Sequence, residues 1–295
     1  MAAPHATTVL ELASGRELAF AEYGDPQGAP VFGFHGTPGS NRQLAPWHEA
    51  GVAERVRVIA PDRPGYGHSR FDPYRRLVDW PRDVGELAAH LGLARFGVFG
   101  VSGGGPHAAV CAHAFGAKLT GASIVSGVAP PDTRGWTEGM MGPNQLNFAL
   151  ARRSELLVWP MAALMLFGMK HFPDRALDGL LRSLPESDRR ILTRKEVADV
   201  LIGEARDAAP TTARAVAQDF ALFARPWGFK LEDVAAPVHV WHGDADRNVP
   251  AAHGRAFADR IPNAKLHLYP NEGHMLFFEH TGEILRAAAG RAGAG

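Results

Sequence analysis

The sequence predicts an α/β fold, a mostly parallel doubly wound sheet with an inserted helical cap. Short apolar strands alternate with helical stretches in the first part of the chain, and this alternation returns at PVHVWHGDAD. Between these parts the pattern is helical and rich in Met, Trp and Leu. We therefore expect a core in two parts, residues 1–129 and 230–295, interrupted by a cap at residues 130–229.

The first part of the core is predicted to begin with a hairpin. TTVLEL and RELAFAEYG show the alternation typical of strands and flank the turn Ser14-Gly15. PVFGFHG and RVRVIAPD follow as buried strands, a helix is expected from about Val78 to Leu91, and RFGVFGVS supplies the next strand. This order of strand, helix and strand implies right-handed crossovers and a parallel sheet with helices on both faces.

The rest of the chain is predicted to hold a further strand, the cap and the end of the core. KLTGASIVSGV reads as a strand, and the apolar run from Leu156 to Met169 is shorter than the ~20 residues of a membrane span, which predicts a buried or cleft-lining helix. After the cap come a helix near Ala251 to Arg260, the strand AKLHLYPNEGH and a last helix that fades into the tail GRAGAG, predicted to be disordered. Prolines are expected to break the cap helices at Pro143, Pro160, Pro173, Pro185 and Pro210.

Composition and charge exclude several classes of partner. Lys plus Arg and Asp plus Glu number 31 each, and without a block of like charge neither nucleic acid nor an anionic membrane is expected. The single cysteine, Cys111, can form no intramolecular disulfide, which favours a reducing, cytoplasmic location. MAAPHATTVLELASG lacks the pattern of a signal peptide. The expected partner is a small-molecule substrate, and a homo-oligomer is left open.

Glycines crowd around one serine in FGVFGVSGGGPHAAV, residues 96–110. A phosphate-binding P-loop would need a lysine, which this stretch lacks. A dinucleotide fingerprint would need G-x-G-x-x-G and an acidic residue about 20 positions further on, but the glycines at 97, 100 and 103 are spaced by threes and no acidic residue follows before Asp132. Neither kind of nucleotide site is therefore favoured.

The same stretch matches the nucleophile elbow G-x-S-x-G from Gly100 to Gly104, where a buried strand turns into a helix. In such a turn Ser102 has a strained backbone, and the flanking positions must be glycine because side chains there would collide with neighbouring backbone. The pentapeptide alone fits an ordinary strand-to-helix turn about equally well. The choice depends on whether the chain supplies catalytic partners.

A serine hydroxyl becomes a nucleophile when a histidine accepts its proton and a carboxylate orients that histidine. Asp244 and Asp246 follow the strand PVHVW, and His274 follows the last strand, so both loops are expected at the carboxyl edge of the sheet. The oxyanion of the intermediate needs two backbone N–H donors. We expect one from Gly103, directly after the nucleophile, and the other from Thr37 in the loop HGTPG.

Of two metal-site interpretations of HGDADRN, the calcium loop is rejected and the transition-metal site is disfavoured. The segment begins like a calcium loop, but Val249 and Arg255 stand where that loop needs Gly and Glu. A transition-metal site of His242, Asp244 and Asp246 would lack a second cluster of ligands, and alternate residues of an extended segment point to opposite faces. We expect no metal and no cofactor.

Five motifs occur together in the chain: His35-Gly36-Thr37, D-x-x-G-x-G-x-S from Asp62 to Ser69, the elbow at Ser102, G-x-x-D-x-x-V-P from Gly243 to Pro250, and Gly273-His274. With them the chain resembles the cap-bearing branch of the α/β-hydrolase superfamily over most of its length. The resemblance implies the α/β-hydrolase fold, a triad of Ser102, Asp246 and His274, and an oxyanion hole of Thr37 and Gly103. The spacing of the motif G-x-x-D-x-x-V-P selects Asp246 rather than Asp244 as the acid of the triad.

The resemblance also bears on the reaction. Epoxide hydrolases and haloalkane dehalogenases of the superfamily carry Asp at the elbow, so Ser102 argues against both activities. HGTPG is similar to the HGGPG of proline iminopeptidases, but GVSGG differs from their GGSWG, and Pro64 stands where they have Arg. A serine hydrolase that cleaves an uncharged ester through an acyl-enzyme is the first expectation. The alternatives are an aminopeptidase of the proline iminopeptidase type, a carbon–carbon bond or lactone hydrolase, and a non-catalytic ligand-binding or receptor protein.

The cap carries the remaining clues to the substrate. Met161 and Met165 lie in an apolar segment that suits either a deformable pocket wall or core packing. A peptide substrate would instead need a carboxylate in the cap to meet its ammonium group. The candidates are Glu138, Glu155, Glu204 and Asp219.

Overall fold

One sheet of eight strands organises the residues described by the computed structural model, which are 6–206 and 208–291. The strands are β1 Thr8–Glu11, β2 Glu17–Gly24, β3 Ala29–Phe34, β4 Val56–Pro61, β5 Phe96–Val101, β6 Leu119–Val125, β7 Val238–Gly243 and β8 Ala264–Tyr269. Their order in the sheet is β1-β2-β4-β3-β5-β6-β7-β8. The pairs β1–β2 and β2–β4 are antiparallel, and the other neighbours are parallel.

Helices cover both faces of this sheet. Phe32 and Val98 face a cluster that includes Val84 and Ala108, whereas their chain neighbours Val31 and Phe99 face a second cluster that includes residues of the last helix. This alternation follows from the period of two along a strand. The helices of the core are α1 His48–Ala53, α2 Trp80–His90, α3 Gly105–Phe115, α10 Ala251–Arg260 and α11 Thr281–Ala288.

These observations confirm the predicted α/β fold, including the initial hairpin and the mostly parallel sheet. Helix α2 lies within the stretch predicted as helical, and α10 has the predicted bounds. Two predictions fall on residues outside the described part of the chain. Residues 1–5 belong to the segment inspected for a signal peptide, and residues 292–295 belong to the tail predicted to be disordered.

Six of the described α-helices lie between β6 and β7 in the chain, and we call them the cap helices. The limits of 130 and 229 for a separate cap stay a prediction. The helices are α4 Gly142–Ala151, α5 Glu155–His171, α6 Pro173–Ser183, α7 Glu186–Leu192, α8 Lys195–Arg206 and α9 Thr212–Phe223.

Pro160 does not break a helix, and that prediction was wrong. It lies inside α5, whereas Pro143 and Pro173 stand in the first turns of α4 and α6 and Pro185 directly precedes α7. Proline leaves the carbonyl four residues earlier without its helical donor. Pro160 is exposed, so water can satisfy that carbonyl of Leu156 and the helix continues.

Helix α5 is apolar on its exposed side as well as its buried side. Val158 and Ala162 are buried, whereas the exposed fractions of Leu156 and Leu164 are 62% and 72%. The prediction was a buried or cleft-lining helix, and α5 is both: one side is buried, and several of its residues, including Leu164, line the cavity described below. Among residues 6–206 and 208–291 no single helix is long and apolar enough to cross a membrane. Helices α5 and α6 would meet that test together, but the chain bends by 117° between them.

Candidate active site

Ser102 stands at the sharp turn between β5 and α3. Its φ is +53°, a left-handed value that is uncommon for a residue with a side chain and costs of order 1–3 kcal/mol. The flanking glycines permit the turn, because a Cβ on Gly100 would lie 2.1 Å from the carbonyl oxygen of Gly104. A Cβ on Gly104 would lie 2.1 Å from the carbonyl oxygen of Phe34. The backbone thus has the geometry expected of a nucleophile elbow.

His274 and Asp246 lie in the loops that follow β8 and β7. The Nδ1 atom of His274 is 2.8 Å from Oδ2 of Asp246, so the imidazole donates from Nδ1 to the carboxylate. The other oxygen, Oδ1, accepts hydrogen bonds of 2.8 Å from the backbone N–H groups of Asn248 and Val249. These bonds fix the carboxylate and leave Nε2 of His274 as the basic nitrogen.

The buried pair has shifted pKa values. Burial alone would raise the pKa of Asp246, but the charge and the hydrogen bond of His274, with a further contribution from His242, hold it well below its usual range. Burial would lower the pKa of His274, yet the carboxylate of Asp246, with a further contribution from Asp188, raises it above 6.5. The site therefore favours an ionised Asp246 and a histidine that is a stronger base than usual.

The loop after β3 lies directly against the elbow. A Cβ on Gly36 would be 3.5 Å from the Cβ of Ser102, and a Cβ on Gly103 would be 3.2 Å from the backbone nitrogen of Thr37. Gly103 has room for this approach because it has no side chain: its Cβ would lie 2.2 Å from Oγ1 of Thr37. The backbone nitrogens of Thr37 and Gly103 thus belong to segments in close contact beside Ser102.

Ser102 and His274 line one cavity of about 930 Å³ between the core and the cap helices. In the described chain no hydrogen bond joins the two side chains, and such contacts often tighten only when substrate binds. The wall is largely apolar and includes Met161, Met165, Leu180, Phe220 and Phe277. The two methionines therefore belong to the pocket wall, as one of the two interpretations of the cap segment predicted.

The model of the family described as alpha/beta hydrolase fold matches residues 29–281. The chain belongs to this family. It is similar to the 2-hydroxy-6-oxo-6-phenylhexa-2,4-dienoate hydrolase of Burkholderia cepacia, with 26% identity over 86% of this chain and 84% of that protein. A proline iminopeptidase of Xanthomonas citri is 33% identical, but over only 34% of this chain and 33% of that protein. An esterase from Thermogutta terrifontis has a similar structure, with a TM-score of 0.68 and 24% identity over 97% and 96% of the two chains.

Membership of the family and these relatives support a hydrolytic enzyme.

In this α/β hydrolase Asp244 lies apart from the pair of His274 and Asp246. It is exposed, and its Oδ1 accepts a hydrogen bond of 2.7 Å from the backbone N–H of Asn271. His242 is nearer, with Nε2 3.5 Å from Oδ2 of Asp246 and 2.7 Å from the carbonyl oxygen of Val249. Within the described ranges no three His, Cys, Asp or Glu side chains are placed to hold a metal ion.

Sequence reasoning missed a buried ion cluster that supports the loop carrying Thr37. Asp219 of α9 accepts hydrogen bonds at Oδ2 from Oγ1 of Thr37, Nη2 of Arg63 and the hydroxyl of Tyr66, at 2.8, 2.8 and 2.7 Å. Arg75 donates to its other oxygen. Burial would raise the pKa of Asp219, but the two guanidinium groups hold it well below its usual range. The cluster joins a cap helix to the loop that carries Thr37.

The four carboxylates proposed to meet an ammonium group have different surroundings in this α/β hydrolase. Asp219 is fully buried and already paired with two arginines. Glu138 and Glu155 do not line the cavity, whereas Glu204 does. Oε1 of Glu204 accepts hydrogen bonds of 2.8 and 3.1 Å from the backbone N–H and the hydroxyl of Ser40. Burial raises the pKa of Glu204 to about 8.

Proposed function

We propose that this chain is a serine hydrolase that cleaves uncharged carboxylic esters through an acyl-enzyme. The observation that carries the proposal is the pair of His274 and Asp246, 2.8 Å apart, in which His274 lines the same cavity that Ser102 lines from its left-handed turn. Ser102 is the proposed nucleophile, His274 the general base and Asp246 the residue that orients it.

Each step assigns one task to one group. Nε2 of His274 takes the proton of Ser102 as Oγ attacks the ester carbon, and the N–H groups of Thr37 and Gly103 bind the resulting oxyanion. When the intermediate collapses, His274 returns the proton to the departing alcohol and Ser102 keeps the acyl group. Water then attacks the acyl-enzyme, with His274 as base, and Ser102 is released with a carboxylic acid.

The cavity favours an ester with an apolar acyl group. An alcohol leaves more readily than an amine, so ester cleavage requires no group beyond the proposed triad and oxyanion hole. Met161, Met165 and Leu180 offer an apolar surface to the acyl group. Burial of hydrocarbon stabilises the complex by about 25 cal/mol for each Å² of apolar surface removed from water. The flexible methionines suit acyl chains of different shape.

Labelling and turnover test the proposal together. A fluorophosphonate should label wild type on Ser102 and fail to label Ser102→Ala. The Cys111 thiol in α3 should not react in its place, because it is buried and burial raises its pKa. Wild type should hydrolyse p-nitrophenyl esters, and Ser102→Ala should lose that activity. Labelling that survives the substitution contradicts the triad. A protein that binds the esters without labelling or turnover would be the non-catalytic binding protein instead.

Glu204 is the observation that favours a second candidate, an aminopeptidase of the proline iminopeptidase type. It is a carboxylate on the cavity wall, and an approaching ammonium group would favour its ionised form. The relative named as a proline iminopeptidase supports this candidate over a third of the chain. Cleavage of an aminoacyl-arylamide faster than p-nitrophenyl esters, lost in Glu204→Gln but kept in Glu138→Gln, would replace the esterase proposal. A lactone in the same panel tests the lactone hydrolase alternative, and the carbon–carbon bond hydrolase alternative stays a prediction.

A further inference from the structure

Asp188 of helix α7 reaches from the cap to the loop of His274. Its side chain is buried, and both carboxylate oxygens accept hydrogen bonds from the backbone of that loop. Oδ2 is 2.9 Å from the backbone nitrogen of His274, and Oδ1 is 2.8 Å from that of Met275. Charged acceptors of two backbone N–H groups form stronger hydrogen bonds than neutral ones.

Gly273 is required by this contact. A Cβ at Gly273 would lie 2.4 Å from each carboxylate oxygen of Asp188, closer than real Cβ contacts allow. A larger residue would therefore push α7 away from the loop. The glycine before His274 in the family-like motif thus has a physical role here, because it lets a cap carboxylate approach the backbone.

Three contacts hold His274 in place. Asp188 accepts from its backbone N–H, the hydroxyl of Ser126 donates to its carbonyl oxygen at 3.2 Å, and Asp246 accepts from its ring. The first comes from the cap and the other two from the core. If α7 moved, the backbone N–H of His274 would lose its hydrogen bond to Asp188. The position of Nε2 relative to Ser102 would then no longer be defined.

We propose that Asp188 is a positioning residue, which holds the backbone of His274 from the cap. Catalysis in the core then depends on α7 being packed against the loop of His274. The inference rests on the proposed function, in which His274 is the base. It assigns to the cap a role in catalysis in addition to lining the pocket.

The charge of Asp188 affects the pKa of His274, and a residue that only packed the cap would not have this effect. The carboxylates that face His274 are Asp246 from the loop after β7 and Asp188 from α7, and both raise the pKa of His274. His242 stands behind Asp246. Removing the charge of Asp188 should therefore lower the pKa of His274, and the acid limb of kcat/KM should move to lower pH.

The experiment compares Asp188→Asn with Glu186→Gln, which removes an exposed carboxylate from the start of the same helix. Asn keeps the shape of the side chain but neutralises it. We expect Asp188→Asn to lower kcat by roughly 10- to 100-fold with little change in KM, as for a base displaced by less than about 1 Å. Its acid limb should move down by roughly half a pH unit. Glu186→Gln should match wild type in both.

An NMR titration of the His274 ring, made in the Ser102→Ala background, gives the same answer without turnover. A lower midpoint in Asp188→Asn, together with the expected fall in kcat, supports the proposal. Ester hydrolysis that survives Ser102→Ala contradicts the proposed function, and with it the inference, whatever the midpoint does. An unchanged midpoint together with an unchanged pH profile overturns the proposal even if the esterase is real. A loss of thermal stability and activity with an unmoved His274 titration also overturns it, because Asp188 would then only pack the cap.

Discussion

Asp246 and Asp219 are both buried carboxylates that touch the candidate site, but their partners differ. Asp246 accepts from an imidazole and two backbone N–H groups, whereas Asp219 accepts from two guanidinium groups, a phenol and the hydroxyl of Thr37. Both carboxylates have a lowered pKa. The imidazole beside Asp246 can gain and lose a proton near neutral pH, whereas the arginines beside Asp219 cannot.

The difference separates a region suited to chemistry from a region suited to support. A carboxylate paired with a titratable base can stabilise that base when it takes a proton, which is what a triad requires. A carboxylate neutralised by permanent cations holds its neighbours in place instead. Here those neighbours include Thr37 and Arg63, and Arg63 also donates to the carbonyl oxygen of Gly36 in the loop that carries Thr37. Substitutions at the two aspartates should therefore fail in different ways, one in turnover and the other in folding.

The largest effect is expected from Asp246→Asn. An amide in place of the carboxylate would favour the wrong tautomer of His274, and kcat for a p-nitrophenyl ester should fall by about 10⁴-fold while thermal stability changes much less. Asp244→Asn is the matched control, because Asp244 lies two residues away, is exposed and contacts the backbone of Asn271 instead. Equal losses of kcat in the two variants would remove Asp246 from the proposed triad and weaken the contrast with Asp219.

Asp246 could be selected from the sequence, and Asp219 could not. Ser102, Asp246, His274 and Thr37 each follow a strand, and parallel neighbouring strands bring their carboxyl ends to one edge of the sheet. Their spacing within short motifs is therefore visible in one dimension. The roles of Asp188 and Asp219 depend on contacts with residues 86 and 182 positions away, which no local pattern records.

The secondary structure of the cap was also only partly predictable from the sequence. Its helical character and its apolar wall followed from composition, but the helix containing Pro160 was predicted to break there. Whether a proline ends a helix depends on whether water or a neighbour satisfies the freed carbonyl, which is a property of the surroundings rather than of the local sequence. The strands of the core were more predictable, because burial on both faces imposes continuous apolar runs.

A loss of folding stability is the effect expected from Asp219→Asn. The substitution leaves the guanidinium groups of Arg63 and Arg75 buried without their carboxylate, which costs about 3–5 kcal/mol in the free energy of unfolding. Urea denaturation at pH 7 measures this cost, with Asp178→Asn on an exposed position of α6 as the control. A stability equal to wild type would contradict the supporting role of the cluster.

The pH dependence of that cost has a defined sign. The pKa of Asp219 is lowered in the folded protein from an ordinary value of 3.8, so its contribution to stability is present above that value and is lost as the pH falls below it. The difference in unfolding free energy between wild type and Asp219→Asn should therefore be constant near neutral pH and shrink in acid. A difference that grows in acid would mean that the carboxylate is not the ionised partner of the arginines.

The smallest effect, and the one that sharpens the comparison most, is the position of the acid limb of kcat/KM. Because His274 must be neutral to act as base and its pKa is raised, activity should be retained at higher pH and lost as the pH falls through a midpoint above 6.5. Asp219 has arginine partners and no imidazole partner, so the folded fraction of Asp219→Asn should keep this midpoint within about half a unit of wild type, even where its stability is much lower. Profiles measured with a p-nitrophenyl ester, at temperatures where both proteins are folded, make this check. A midpoint that moves as far in Asp219→Asn as in Asp188→Asn would show that the two regions share one electrostatic environment, and the separation of chemistry from support would fail.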